Sequence, residues 1–145
     1  MIYFTPFRPL HIRRLVDIQG EQAEEAVFAI EMGEAAALAQ HTSWTGWIGA
    51  DVVGCAGIVP IWQGRSFVWA LLGKGCAPHM LAITRLVREQ LDAHENRRIE
   101  ATVLHGFEAG ERWARMLGFK RETPDGMQFY DPMGRTLSLY SRIKS

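Results

Sequence analysis

Residues 107–119 read FEAGERWARMLGF, and this stretch decides the fold. Phe107, Gly110, Trp113, Ala114 and Leu117 recur at helical spacing, and Gly118 stands where a left-handed residue closes a helix. About thirty residues upstream lies a glycine-rich turn, Leu72-Gly73-Lys74-Gly75-Cys76-Ala77. Before the turn, residues 67–72 (FVWALL) form a nearly continuous apolar run, as expected of a central strand buried on both faces. After it, Pro78 suits the first position of a helix, and Met80, Ile83, Val87 and Leu91 form one stripe. His94-Glu95-Asn96 ends that helix. Ile99, Ala101 and Val103 then alternate with Glu100 and Thr102 as a strand. Strand, helix and strand at this length favour parallel pairing through a right-handed crossover.

Working outward, residues 2–7 are aromatic and β-prone, and Pro6 and Pro9 bracket a change to a helical pattern from about His11. Residues 22–40 favour helix, with Gly33 as a break and Ala26, Ile30 and Ala37 on one face. Residues 44–48 and 52–62 are β-rich runs around Gly49-Ala50-Asp51, which predicts an antiparallel hairpin. Gln63-Gly64-Arg65 makes another turn. Residues 127–130 and 136–143 are β-rich with Asp131-Pro132-Met133-Gly134 between them, predicting a terminal antiparallel pair.

The two turns, together with Val53-Gly54-Cys55-Ala56-Gly57, resemble the GNAT superfamily of N-acetyltransferases, including its divergent phage-associated members. The resemblance implies one α/β domain over residues 1–145. Its sheet would be mixed and mostly antiparallel, of six or seven strands, with a central splayed parallel pair and about four flanking helices. It also implies acetyl-CoA as cosubstrate, with the pyrophosphate held at the glycine-rich turn. Gly75 and Ala77 match the superfamily turn, whereas Leu72 stands where an arginine or glutamine is usual. In the later helix, Phe107 and Ala114 stand where the family carries an asparagine and a tyrosine, and that tyrosine commonly protonates the departing thiolate.

The chain has 145 residues, 16 basic and 16 acidic, so its formal net charge is zero. That length buries a core without disulfides or metal. The charge balance gives no global attraction for nucleic acid or anionic lipid and favours self-association, so a homodimer is one expected state. His11-Ile12-Arg13-Arg14 is a basic patch read as a solvated helix face. Cys55 and Cys76 form no metal-ligand or disulfide pattern and fit a reducing compartment. No stretch has signal-peptide form or transmembrane length. A cytoplasmic protein is expected, or one packaged into a virion if phage-encoded.

Cofactor contacts are expected at Trp69, Leu71, Leu72, Gly73, Lys74, Gly75, Cys76 and Ala77, because glycines let backbone approach a phosphate and helix-start amides donate to it. Leu71 and Leu72 would contribute backbone groups that orient the thioester. Attack by an amine needs a proton acceptor, for which Glu100 and His105 are the candidates; Tyr130 and Tyr140 are candidate donors, and His79 sits beside the turn. Trp44, Trp47 and Trp62 bracket the first hairpin as acceptor groove, packing or interface. The leading expectation is transfer of acetyl from acetyl-CoA to a small-molecule or protein amine, with no metal. The alternatives are a degenerate phage structural or internal virion protein of the same fold, acting on other virion proteins, and a CoA-binding regulator without turnover.

Overall fold

Among the residues that the structure describes, seven strands form one sheet in the order β1-β2-β3-β4-β5-β7-β6. They are β1 (Tyr3–Pro6), β2 (Ser43–Ile48), β3 (Asp51–Trp62), β4 (Arg65–Leu72), β5 (Arg98–Leu104), β6 (Lys120–Arg121) and β7 (Leu137–Ile143). The computed structural model describes residues 1–15 and 33–144. Among them are four α-helices: α1 (Leu10–Arg14), α2 (Glu34–Ala39), α3 (Met80–Ala93) and α4 (Glu108–Met116). β4 and β5 are parallel, with a ladder from Arg65–Arg98 to Phe67–Glu100, and α3 is the crossover between them. β1–β2, β2–β3, β5–β7 and β6–β7 are antiparallel. This is the mixed sheet with a central parallel pair that the sequence led us to expect.

The chain divides into two compact units. One comprises Met1–Val59 and Trp69–Leu86, the other Pro60–Val68 and Val87–Ser145. The core of the first is Phe7, Ile12, Ala35, Val52, Cys55 and Leu71, with Leu15, Leu38, Ala39, Trp47 and Trp69 packed around it. α1 is short, but its Ile12 is buried and His11 Nδ1 lies 2.7 Å from Thr45 Oγ1 on β2. The expected helix over residues 22–40 is met at Glu34–Ala39, where Gly33 (φ 71°) precedes it; residues 22–32, with Ala26 and Ile30, lie outside the described residues.

In the second unit α4 ends as its sequence requires. Phe119 N–H donates to Ala114 O and Gly118 N–H to Arg115 O, both at 3.0 Å. Gly118 has φ 93°. These are the two bonds of a Schellman motif, and buried Phe119 anchors the chain as it leaves the helix. The helix also buries Glu111, which accepts the Tyr140 hydroxyl at 3.1 Å and pairs with Arg121. Tyr140 is fully buried on β7.

Three expectations need correction. β4 is not buried on both faces: only Ser66 and Leu71 are buried along it, and its other residues are half-buried. Pro78 does not start the α-helix; it lies inside a 3-10 turn, Lys74–His79, and α3 begins at Met80. Residues 127–130 do not form the strand that pairs with β7. That place is taken by Lys120–Arg121, opposite Ser141 and Tyr140, and a single bridge joins Met127 to Leu137. The reason is local. Phe129 adopts φ 50°, which breaks an extended run, and Tyr130 N–H donates to Arg135 O in a loop closed by Asp131.

Candidate functional site

An irregularity in β3 seats the glycine-rich turn. Gly46 pairs with Gly54 while the next β2 residue, Trp47, pairs with Val52, so Val53 is an extra residue in β3. A bulge takes a residue out of the ladder and re-aims its backbone. The Val53 carbonyl accepts the Gly73 N–H at 2.8 Å and the Cys76 thiol at 3.0 Å. Gly54 makes room for this: a Cβ there would stand 3.0 Å from Leu72 Cδ2 and 3.1 Å from Cys76 Sγ. A Cβ on Gly75 would stand 3.0 Å from Val53 Cγ1. Gly73 has φ −87°, and Gly75 is not among the positive-φ residues, so space rather than left-handed backbone explains Gly75.

Within the turn, Cys76 N–H donates to Gly73 O at 3.1 Å, the first bond of the 3-10 pattern. The N–H groups of Lys74 and Gly75 precede that bond and have no acceptor inside the turn, as at any helix start. Pro78 has no N–H to offer. Lys74 and Ala77 are exposed and Gly75 is half-buried, whereas Leu71 and Cys76 are buried. Half-buried Trp69 meets Phe7 edge to face at 5.1 Å, and its buried Nε1 has no protein partner among the described residues. Of the expected cofactor contacts, Leu71 and Cys76 are thus limited to their backbones. Burial pushes the Cys76 thiol up to about 11 and the Cys55 thiol up to about 12, so neither is a thiolate nucleophile at neutral pH.

The proton-transfer candidates belong to the second unit. Glu100 is buried, and its carboxylate accepts Arg65 Nε at 2.9 Å, Arg65 Nη2 at 2.7 Å and Arg98 Nε at 2.5 Å. The Arg65 hydrogen bonds lower the Glu100 pKa against the opposing effect of burial, with Arg98 adding to them. A carboxylate so held is a weak base. Arg98 extends the network to both oxygens of Glu122, and Arg65 lies 4.4 Å over the Trp62 ring. Trp62, Arg65, Arg98 and Glu100 help line an open cavity of about 520 Å³.

His105 follows the end of β5, five residues and roughly 16 Å along the strand from Glu100. The two therefore do not converge. His105 is exposed, its N–H donates to Thr136 O at 3.0 Å, and its Nδ1 lies 2.8 Å from the hydroxyl of fully buried Ser138. Gly126 packs on the same ring edge, where a Cβ would stand 3.0 Å from Nδ1. Tyr130 is 55% exposed on the loop between β6 and β7 rather than on a strand. Burial pushes Asp131 up, but hydrogen bonds from Arg135 and Met133 hold it below its ordinary value and fasten this loop. The Tyr140 hydroxyl is committed to Glu111.

Sequence reasoning missed the tie between the Val53 carbonyl and the glycine-rich turn, the arginines on Glu100, and Ser138. Arg98 was within reach, since residues two apart on a strand share a face. Val53 and Ser138 carry no local signal, because each acts on a residue distant in the chain.

No family model matches the chain, and neither does any curated protein. Solved structures do. An acetyltransferase from Streptococcus agalactiae 2603 superposes with a TM-score of 0.71 at 16% identity, covering 99% of this chain and 98% of that one. A GNAT-family acetyltransferase from Bacillus anthracis gives 0.69 at 12% identity over 98% and 94%, and one from Streptococcus pneumoniae gives 0.63 at 14% over 99% and 100%. At these identities the likeness establishes the fold: it is that of the GNAT acetyltransferases, end to end.

Proposed function

We propose that this protein transfers the acetyl group of acetyl-CoA to an amine. Fold alone does not fix function. The observation that carries the proposal is the turn at the end of β4, pinned through Gly73 and Cys76 to the bulged carbonyl of Val53, with the Lys74 and Gly75 amides leading it. Two such amides beside an exposed lysine suit a pyrophosphate. Acetyl-CoA, when bound, supplies an activated thioester. The chain's own work is to hold its phosphates at Lys74 and Gly75 and to align its thioester along the backbone of β4 from Trp69 to Leu72.

The acceptor amine loses its proton to water in this scheme, because Glu100 is held by Arg65 and Arg98. His105 and Tyr130, both exposed, are the polar side chains proposed to contact the acceptor. Thiol release from acetyl-CoA, followed with a panel of small amines and amine-bearing peptides, tests the proposal. Amine-dependent release that Gly75→Asp abolishes and Gly75→Ala retains supports it. Both variants place a Cβ near Val53, so only the aspartate adds negative charge at the phosphates. No release with any amine would turn attention to a protein-interaction role.

A further inference from the structure

We infer that Ser138 fixes the proton on His105, so that this histidine serves its substrate as a hydrogen-bond donor and not as a base. The inference of a substrate contact rests on the acetyl-transfer reading; the inference about the proton does not. Ser138 is fully buried on β7, opposite Val103, and its hydroxyl has one hydrogen-bond partner among the described residues, His105 Nδ1 at 2.8 Å. A hydroxyl has a single proton and two lone pairs. A buried proton without an acceptor is costlier than an unused lone pair, since oxygen acceptors are commonly left partly unsatisfied and donors are not. The Ser138 proton therefore goes to Nδ1, and the neutral imidazole carries its own proton on Nε2.

The surroundings hold that choice. Gly126, at φ 78°, closes the Nδ1 edge so tightly that a Cβ there would stand 3.0 Å from the nitrogen. The backbone N–H of His105 is tied to Thr136 O, which fixes the residue against β7. Nε2 has no protein partner among the described residues, and the side chain is exposed. What His105 offers to solvent is then an N–H of fixed direction, suited to a carbonyl or carboxylate oxygen of the acceptor. Taking a proton at Nε2 would first require the ring's own proton to move from Nε2 to Nδ1, which would displace the Ser138 hydrogen bond and leave the buried hydroxyl proton with no second acceptor among the described residues. Ser138 is a positioning residue in this scheme.

Nitrogen NMR of the full chain tests the assignment without any turnover. In its neutral form the His105 ring should show Nε2 protonated and Nδ1 as a hydrogen-bonded acceptor. Ser138→Ala should move the Nδ1 resonance toward that of free imidazole, and Ser138→Thr, which keeps the hydroxyl, should restore it. A spectrum with Nδ1 protonated and Nε2 bare overturns the inference. Kinetics test the use: His105→Gln keeps an N–H and should hold turnover within about tenfold, while His105→Ala should lose about a hundredfold. Equal losses in both, with acetyl-CoA binding intact, would make His105 the base and refute the donor role. A wild-type chain without turnover sinks the transfer reading and leaves the nitrogen spectrum to decide the proton.

Discussion

Replacing Cys76 with alanine removes one of the two ties on the Val53 carbonyl and leaves the other. The Cys76 side chain is 2% exposed, and its thiol donates to Val53 O at 3.0 Å while Gly73 N–H donates at 2.8 Å. Losing a buried sulfur resembles losing a buried methylene, about 0.8 kcal/mol, and the small void left beside Gly54 adds to it. A weak thiol hydrogen bond contributes about 0.5 kcal/mol, and the carbonyl keeps its Gly73 donor. The sum is about 1.5 kcal/mol, which for a chain of this size lowers Tm by about 3 to 6 °C. Urea melts with an unchanged slope should show it. The thiol also shapes the alkaline limb. Its folded pKa is raised to about 11, so from about pH 9 upward the unfolded chain loses this proton first and stability falls until the folded value is passed. Cys76→Ala should make that limb shallower, leaving the share of Cys55. Acetyl-CoA affinity should weaken severalfold as the turn loosens. Wild-type stability together with wild-type affinity in Cys76→Ala would refute the idea that the Val53 bulge holds the turn.

Glu100→Gln should melt earlier than wild type above about pH 4.5, with turnover retained. Because its folded pKa is lowered by Arg65 and then Arg98, the stability it confers is present above the unfolded value and is lost as pH falls through the folded one. Lost turnover with acetyl-CoA binding intact would restore Glu100 as a base. His11 is lowered by burial, then by Arg8 and Arg14, so the chain should be pH-insensitive at this residue above about 6.5 and lose stability below it; a melt series in which His11→Asn keeps the same acid limb would contradict this. Tyr140→Phe should cost about 1 to 2 kcal/mol by removing the hydroxyl that Glu111 accepts, and a change below about 0.5 kcal/mol in urea would count against that network.

The order of elements was legible because each carried its own period. Residues 107–119 announce a helix by stripe and by Gly118, and the observed Schellman bonds realise that signal. The parallel pair followed from the length of the crossover. Residues 127–130 misled because Met127, Phe129 and Tyr130 are β-prone, while what decides their conformation is Asp131 capturing Arg135 and Met133 four and two residues away. The burial of Glu111 has no local signal, since its partners Arg121 and Tyr140 come from β6 and β7. The glycine-rich turn was legible as a turn, but what its glycines pack against was not. Gly54 and Gly75 give way to Leu72, Cys76 and Val53, and that close approach exists only once β3 and the turn are packed.

Calorimetric titration of the purified chain with acetyl-CoA, repeated with Gly75→Asp and Gly75→Ala, tests the central claim most directly. The expected result is binding at about 1 to 100 μM, accompanied by a raised Tm, lost in the aspartate variant and largely kept in the alanine one. Absence of binding at millimolar acetyl-CoA by folded wild-type protein would contradict it.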